Sequence, residues 1–335
     1  MKILIICPGK IAKDKSQIKC YSDLLNYYLP KSLVSNADCD IKNIGISPSA
    51  HNIIKQLEDI PFNKYDAIVF LGIRFFSHQK YQPKKILDYL RSKFKGLICQ
   101  THDGSRFNND GVDITFTTKN EDKKFNAISK QKLEDHKKYN HYVGWGADSQ
   151  LNTPKQDPET LTVLIDHTNY GNNPIDSTKE VILQVKKLVE SRKWESKFKS
   201  INVRRFISGG IENVTFSNLD KIPKFDRSKV IPITEITKEH CKAHLFMVTH
   251  PESVGLVVLE TSLAGALTVS PNNYINQDRL DTVRHYKYQP NTDIEWDKVL
   301  EMINPGDSRN YALKNNWDSV AKRLIKGLEN KLRNE

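Results

Sequence analysis

Thr249-His250-Pro251-Glu252-Ser253-Val254-Gly255-Leu256-Val257-Val258-Leu259-Glu260-Thr261-Ser262-Leu263-Ala264-Gly265-Ala266 is the stretch on which the architecture turns. The apolar run His244–Thr249 before it reads as a strand, Val254–Ala264 as a helix and Ala266–Ser270 as a second strand. Short strands without polar alternation, joined through a helix, belong to a parallel sheet covered on both faces. A helix that opens directly after a strand offers unpaired backbone N–H groups and the positive end of its dipole. In the Ser253-Val254-Gly255 turn, Gly255 carries no side chain to hold a phosphate away from those groups. Glu252 and Glu260 stand eight residues apart, the first in the loop and the second two turns into the helix. One could reach sugar hydroxyls and the other a ribose diol, because a carboxylate accepts hydrogen bonds from both hydroxyls of a diol. The plainer reading makes Glu252 a helix cap and Glu260 a solvated helix residue.

Outward from this stretch the same alternation repeats. Upstream, Leu161–Asp166 reads as a strand, Ser177–Ser191 as a helix, Ile201–Ser208 as a strand ending in Gly209-Gly210, and Lys238–Lys242 as helical. In the first half, strands are expected at Lys2–Cys7, Asp40–Ile46, Ala67–Leu71, Gly96–Gln100 and Ile114–Thr117. Helices are expected near Ser22–Val34, His51–Glu58 and Lys84–Lys95. The polar, proline-bearing segment Gln150–Pro158 interrupts the pattern. An α/β chain of two tandem Rossmann-like domains, 1–150 and 151–335, follows, and 335 residues suffice for two cores. Trp317, Val320, Ala321, Leu324 and Leu328 recur at helical spacing in a last helix of about 317–332.

The Glu252–Glu260 stretch resembles the E-x7-E motif of the retaining GT-B glycosyltransferases of family 4. Gly255-Leu256, Leu259-Glu260 and Ala264-Gly265 before a strand extend the match. The resemblance implies two Rossmann-like domains facing across a cleft, with the first domain on the acceptor side and the last helix crossing back to it. It implies that Glu252 contacts the donor sugar and Glu260 the nucleotide ribose, with Ser253, Val254, Gly255 and Leu256 beside the diphosphate. Leu97–Gln100 runs into Thr101-His102-Asp103-Gly104 and resembles the family's His-Asp near the donor sugar, so His102 and Asp103 join Glu252 as candidate catalytic residues. A turn in which Asp103 bonds its own backbone is the alternative. Gly9, after the first strand, is either an acceptor-side glycine loop or a tight turn. Gly144–Asp148 resembles the G-x-D that closes the first domain in such enzymes. The family's Arg and Lys for the diphosphate are not at their usual place, where Asp166-His167-Thr168-Asn169-Tyr170-Gly171-Asn172-Asn173 stands instead. Gly171, Lys179 and Arg204 or Arg205 are the candidates to take over. The implied reaction moves a sugar from a nucleoside diphosphate sugar to a hydroxyl of a glycan or lipid-linked glycan, without a metal or other cofactor.

The remaining signals are weaker. The formal net charge is +11, and residues 1–150 carry 24 Lys and Arg against 16 Asp and Glu, leaving 27 against 24. A basic first half suits an anionic membrane surface, a phosphorylated glycan or DNA, or is a solvated lysine-rich surface. DNA glycosylation on the same fold, an inactive nucleotide-sugar-binding module and a GT-B epimerase are the rival readings. Lys84–Lys95 sets Ile86, Leu87, Leu90 and Phe94 on one side, as in a sheet-covering helix or one touching a membrane. Asp38-Cys39-Asp40 has the D-x-D form of metal-dependent enzymes but reads as a solvated turn. The histidines show no metal-ligand spacing. Cys7, Cys20, Cys39, Cys99 and Cys241 are odd in number and scattered, which suits a reducing compartment. With no bilayer-length apolar run and no signal-peptide core, a cytoplasmic protein is expected, with peripheral attachment to the inner membrane face left open.

Overall fold

Lys2–Pro8 (β1) is buried from Ile3 to Cys7, so both faces of this strand need a cover. It pairs in parallel with Asp38–Ile44 (β2) on one side and Ala67–Phe70 (β3) on the other. Leu97–His102 (β4), Ile114–Thr117 (β5) and Asn140–Tyr142 (β6) extend the sheet, every pair parallel, in the order β2-β1-β3-β4-β5-β6. These coordinates are a computed structural model. It describes residues 1–9, 14–15, 18, 21–45, 49–72, 82–102, 111–117, 140–166, 178–207, 209–221, 231–250, 256–272 and 283–334.

Helices Tyr21–Asn36 (α1), Ala50–Leu57 (α2) and Pro83–Lys93 (α3) connect the strands. Ala50, Ile53 and Leu57 of α2 and Ile86, Leu87 and Leu90 of α3 face one core with Ile6, Ile68, Phe70 and Ile98 of the sheet. Lys84, Lys85, Arg91 and Lys93 lie on the exposed side of α3, which is therefore a sheet-covering helix. Pro83 suits the first turn, where its missing N–H would be unpaired anyway. The Asp38-Cys39-Asp40 run corrects one expectation: it is not a turn but the start of edge strand β2. Its two carboxylates lie 3.7 and 3.3 Å from the Lys2 ammonium, and Asp40 also accepts a hydrogen bond from the Tyr65 hydroxyl. The strand begins two residues before the expected Asp40 because these neutralised aspartates join the ladder with Lys2 and Leu4.

The second sheet is built from Thr160–Ile165 (β7), Ser200–Ile207 (β8), Gly210–Val214 (β9), Leu245–Met247 (β10), Leu267–Pro271 (β11) and His285–Tyr288 (β12), in the order β12-β11-β10-β7-β8-β9. Its pairs are parallel except β8–β9, where the tight Gly209-Gly210 turn returns the chain as an antiparallel edge strand. That departs from the purely parallel sheet expected. Thr178–Ser191 (α4), Ile233–Lys242 (α5), Leu256–Leu263 (α6), Trp296–Met302 (α7) and Pro305–Ala312 (α8) complete this part. Leu161, Val163 and Ile165 of β7 pack with Val181, Val185 and Leu188 of α4. Gly265 ends α6 with a positive φ of 98°, and a Cβ there would come within 2.8 Å of Gln156 and 2.9 Å of Pro305. The segment Gln150–Pro158 thus packs by its Gln156 amide, which donates to the carbonyls of Ala243 and Ala264.

Two compact units result: Met1–Trp145 with Trp317–Glu335, and Gly146–Asn316. The last helix, Trp317–Asn334 (α9), lies in the first unit. There the Trp317 ring stacks on Tyr28 at 5.7 Å and meets Trp145 edge-on at 5.4 Å. Farther along α9, Arg323 donates to the Val143 carbonyl. Gly327 lies against the β5–β6 pair, where a Cβ would meet the His141 ring at 2.8 Å and the Phe116 ring at 2.9 Å. On an open helix surface Gly→Ala stabilises by about 1 kcal/mol. Here both rings lie closer than a Cβ can approach without displacing them, and overpacking costs about 1–3 kcal/mol. Gly327→Ala should therefore lower the denaturant midpoint of the first unit; a raised midpoint would show that α9 does not pack closely at this point.

Candidate functional site

The carboxyl ends of β7 and β10 lie side by side in the second unit, since Ile165 pairs with Met247. Open α/β sheets bind ligands at this edge, because helices cover both faces and only the strand ends are open. Asp166 follows β7 directly, and Thr249 and His250 follow β10 by two and three residues. All three are buried. The His250 Nδ1 stands 3.5 Å from the Asp166 carboxylate and 3.2 Å from the Thr249 hydroxyl.

Glu260 sits on the second turn of α6, as its spacing from the preceding strand requires, but it is not solvated. Only 8% of its side chain is exposed. Burial pushes its carboxyl up to about 8, and the charge of Asp148 adds to the rise. This overturns the plain reading of Glu260 as a solvated helix residue. Its buried neighbour is His240 of α5, whose Nδ1 lies 3.7 Å from the Glu260 Oε2. The His240 ring meets Phe206 of β8 edge-on at 5.9 Å. The residue before it, Glu239, forms an ion pair with Arg204 of β8 and a second with Lys242 at 3.1 Å. Two adjacent side chains of α5 therefore tie the end of β8 to α6.

The other sequence candidates fall in different places. Leu256 opens α6 and is buried. Arg205 lies inside the fold, with 2% of its side chain exposed, an ion pair to Glu212 of β9 and a hydrogen bond to the Leu219 carbonyl. Its guanidinium is turned to the β8–β9 hairpin, whose partner strand the sequence reading did not anticipate. Arg204 keeps 19% exposure beside Glu239 and also donates to Asn213. Lys179 is exposed in the first turn of α4, at the rim of a cavity of about 370 Å³ that Ile182, Lys186 and Asp220 also line. Gly9 takes a positive φ of 95° and donates its N–H to Ile44, a tight turn that glycine adopts without strain. His102 is the last residue of β4. The His102 side chain, Asp103, Gly171, Glu252, Ser253, Val254 and Gly255 lie outside the described residues. Among the described residues, no group of three or more His, Cys, Asp or Glu is placed to hold a metal ion, and no helix is long and apolar enough to cross a membrane.

Sequence reading missed Asp166, His240 and His250 as members of this site. For His240 a signal existed. Thr237 and His240 are three apart on a short helix leading into a strand, which puts a histidine on the inward side.

No protein-family model matches the sequence, and no curated protein matches it. Solved structures do. An alpha,alpha-trehalose-phosphate synthase (UDP-forming) from Burkholderia vietnamiensis superposes with a TM-score of 0.53 at 9% identity, over 99% of this chain and 97% of that one. Anabaena HepE, crystallised with UDP and glucose, gives 0.49 at 8% identity, over 98% and 100% of the two chains. WaaG, a glycosyltransferase involved in lipopolysaccharide biosynthesis, gives 0.46 at 10%, over 97% and 99%. At such identities the likeness is one of fold, and that fold is the GT-B type with two Rossmann-like sheets.

The buried carboxyl makes a stability statement. The folded chain holds the Glu260 proton up to about pH 8, whereas the group's ordinary value is 4.5. Its contribution to stability is therefore complete below pH 4.5 and is lost as pH rises through 8. Glu260→Gln cannot ionise. It should match the wild type in acid and exceed it at alkaline pH by about 5 kcal/mol. Urea unfolding of both proteins across this range is the check, and equal stability at every pH would mean that the carboxyl is solvated.

Proposed function

We propose that the chain is a glycosyltransferase that takes a sugar from a nucleoside diphosphate sugar and passes it to an acceptor hydroxyl. The observation that carries this reading is the buried Glu260 carboxyl, one helix turn inside the open edge of a parallel sheet in a fold of GT-B type. Burying an ionisable group costs free energy, and such groups cluster where a ligand needs them. A ribose diol would complete this carboxylate by donating two hydrogen bonds. The fold relative with the highest TM-score above is a synthase described as UDP-forming, which makes UDP the first leaving group to test.

In this reading the bond from the anomeric carbon to the diphosphate breaks, and the electron pair leaves with the phosphate oxygen. The acceptor oxygen bonds to the anomeric carbon, and its proton passes to the departing diphosphate. The negative charge developing on the leaving group is stabilised by the N–H groups that open α6 and by a basic side chain, with no metal required. Lys179 and Arg204 are the two described candidates for that side chain. Glu252, which the E-x7-E resemblance sets against the donor sugar, is the candidate to act on the reacting carbon. The same resemblance supports retention at the anomeric centre and an acceptor on a glycan or lipid-linked glycan.

A thermal-shift screen over nucleoside diphosphate sugars tests the reading directly. The matching donor at 100 times its dissociation constant should add about 2.7 kcal/mol. Glu252→Gln should then lower turnover more than donor affinity, because its contact matters most in the transition state. Chelation by EDTA should leave transfer largely intact. No stabilisation by any donor would sink the reading, and full loss with EDTA restored by Mn²⁺ would overturn its account of the leaving-group charge.

A further inference from the structure

We propose that His240 is a positioning residue for Glu260: it takes the Glu260 proton when a nucleotide ribose arrives, so that the carboxylate forms without a proton leaving the site. The inference rests on the donor reading above and adds a residue that the E-x7-E pattern does not contain. Three observations carry it. The His240 Nδ1 and the Glu260 Oε2 are 3.7 Å apart, so a movement of about half an ångström brings them to hydrogen-bond distance. His240 is fully buried and Glu260 nearly so, which keeps water from serving as the proton acceptor. Helices α5 and α6 pack on one another, and the Phe206 ring backs the imidazole from β8, so the two groups are held in register by the fold.

The surroundings favour an internal transfer. Helix α6 packs against α5, α8 and β11. Strand β11 brings no titratable side chain. From α8 comes Arg309, whose guanidinium donates to the carbonyls of Ser149, Asn152 and Leu263. From α5 come His240 and also Glu239, which is paired with Arg204 and Lys242. Among the described residues Asp148 also acts on Glu260, and it raises the cost of a carboxylate there. In the ligand-free protein at neutral pH Glu260 therefore holds its proton, since burial has pushed the carboxyl up to about 8. A protonated carboxyl offers a diol one acceptor oxygen at full strength and a donor where a second acceptor is wanted. Moving the proton to the His240 Nδ1 leaves a carboxylate facing the diol and an imidazolium behind it. The charge stays balanced within the pair, and the proton count of the protein does not change.

The consequence is a pH profile. With His240 in place, nucleotide affinity is nearly independent of pH around neutrality. Without it, the Glu260 proton must be lost to solvent, and affinity falls about tenfold for each pH unit below about 8. UDP binding to the wild type and to His240→Gln, measured by calorimetry at several pH values, reads this directly. Taking the ratio of the two dissociation constants cancels the titration of the UDP phosphate itself. The ratio should lie within about twofold near pH 8.5 and widen to about 30-fold near pH 6.5. A ratio that stays constant with pH would overturn the proposal and leave His240 a packing residue. If His240→Gln does not fold, infrared difference spectra of the wild type at neutral pH serve instead. Adding UDP should remove a protonated-carboxyl band that is absent from Glu260→Gln, and persistence of that band overturns the proposal. Should the wild type bind none of UDP, ADP, GDP or CDP at any pH, the donor reading fails and takes this inference with it. Binding with a flat ratio fails the histidine alone.

Discussion

Double-sided burial of the parallel strands is the constraint from which the rest follows. Strands such as Ile3–Cys7 and Leu161–Ile165 present apolar side chains to both faces, so helices must cover both and no face is left for chemistry. Several of the polar side chains that stay inside then lie at the strand ends and the first turns of the covering helices. Asp166, Thr249, His250 and Glu260 occupy such positions, and all are buried. The cost of holding them there is set against the large apolar cores, which tolerate a few strained groups.

Much of the fold was legible because its signals are local and strong. Apolar runs of strand length, helices at 3.6-residue spacing and the glycine turns mark β1, β3, β4, β5, β7, β8, β10 and β11 within a few residues. What stayed illegible was edge structure. Gly210–Val214, with a polar Glu212 and Asn213, carries no alternation, and it is a strand because Arg205 and Arg204 bond those two residues across the ladder. His285–Tyr288 alternates weakly and depends on β11 for its partners. Such strands are made by their neighbours rather than by their own pattern.

The site divides along the same line. Glu260 was legible from its spacing after a strand, but its burial was not, since burial depends on α5, α8 and β11 packing against α6. Arg204 and Arg205 looked interchangeable in sequence. Their alternation on β8 sends one toward Glu239 and the other into the β8–β9 hairpin, so only the sheet distinguishes them. His240 and His250 are separated from their carboxylates by 20 and 84 residues, so the helical spacing that turns His240 inward does not reveal its partner.

The placement of α9 has a consequence for how the chain is made. Residues 146–316 form a self-contained unit set between two segments of the other one. As the polypeptide emerges in order, the inserted unit has all of its strands before Trp317 appears. The first unit must wait for its closing helix, with Tyr28 and Trp145 uncovered until the Trp317 ring reaches them. A nascent chain halted before residue 317 would thus carry one finished unit and another whose Tyr28 and Trp145 still await the Trp317 ring.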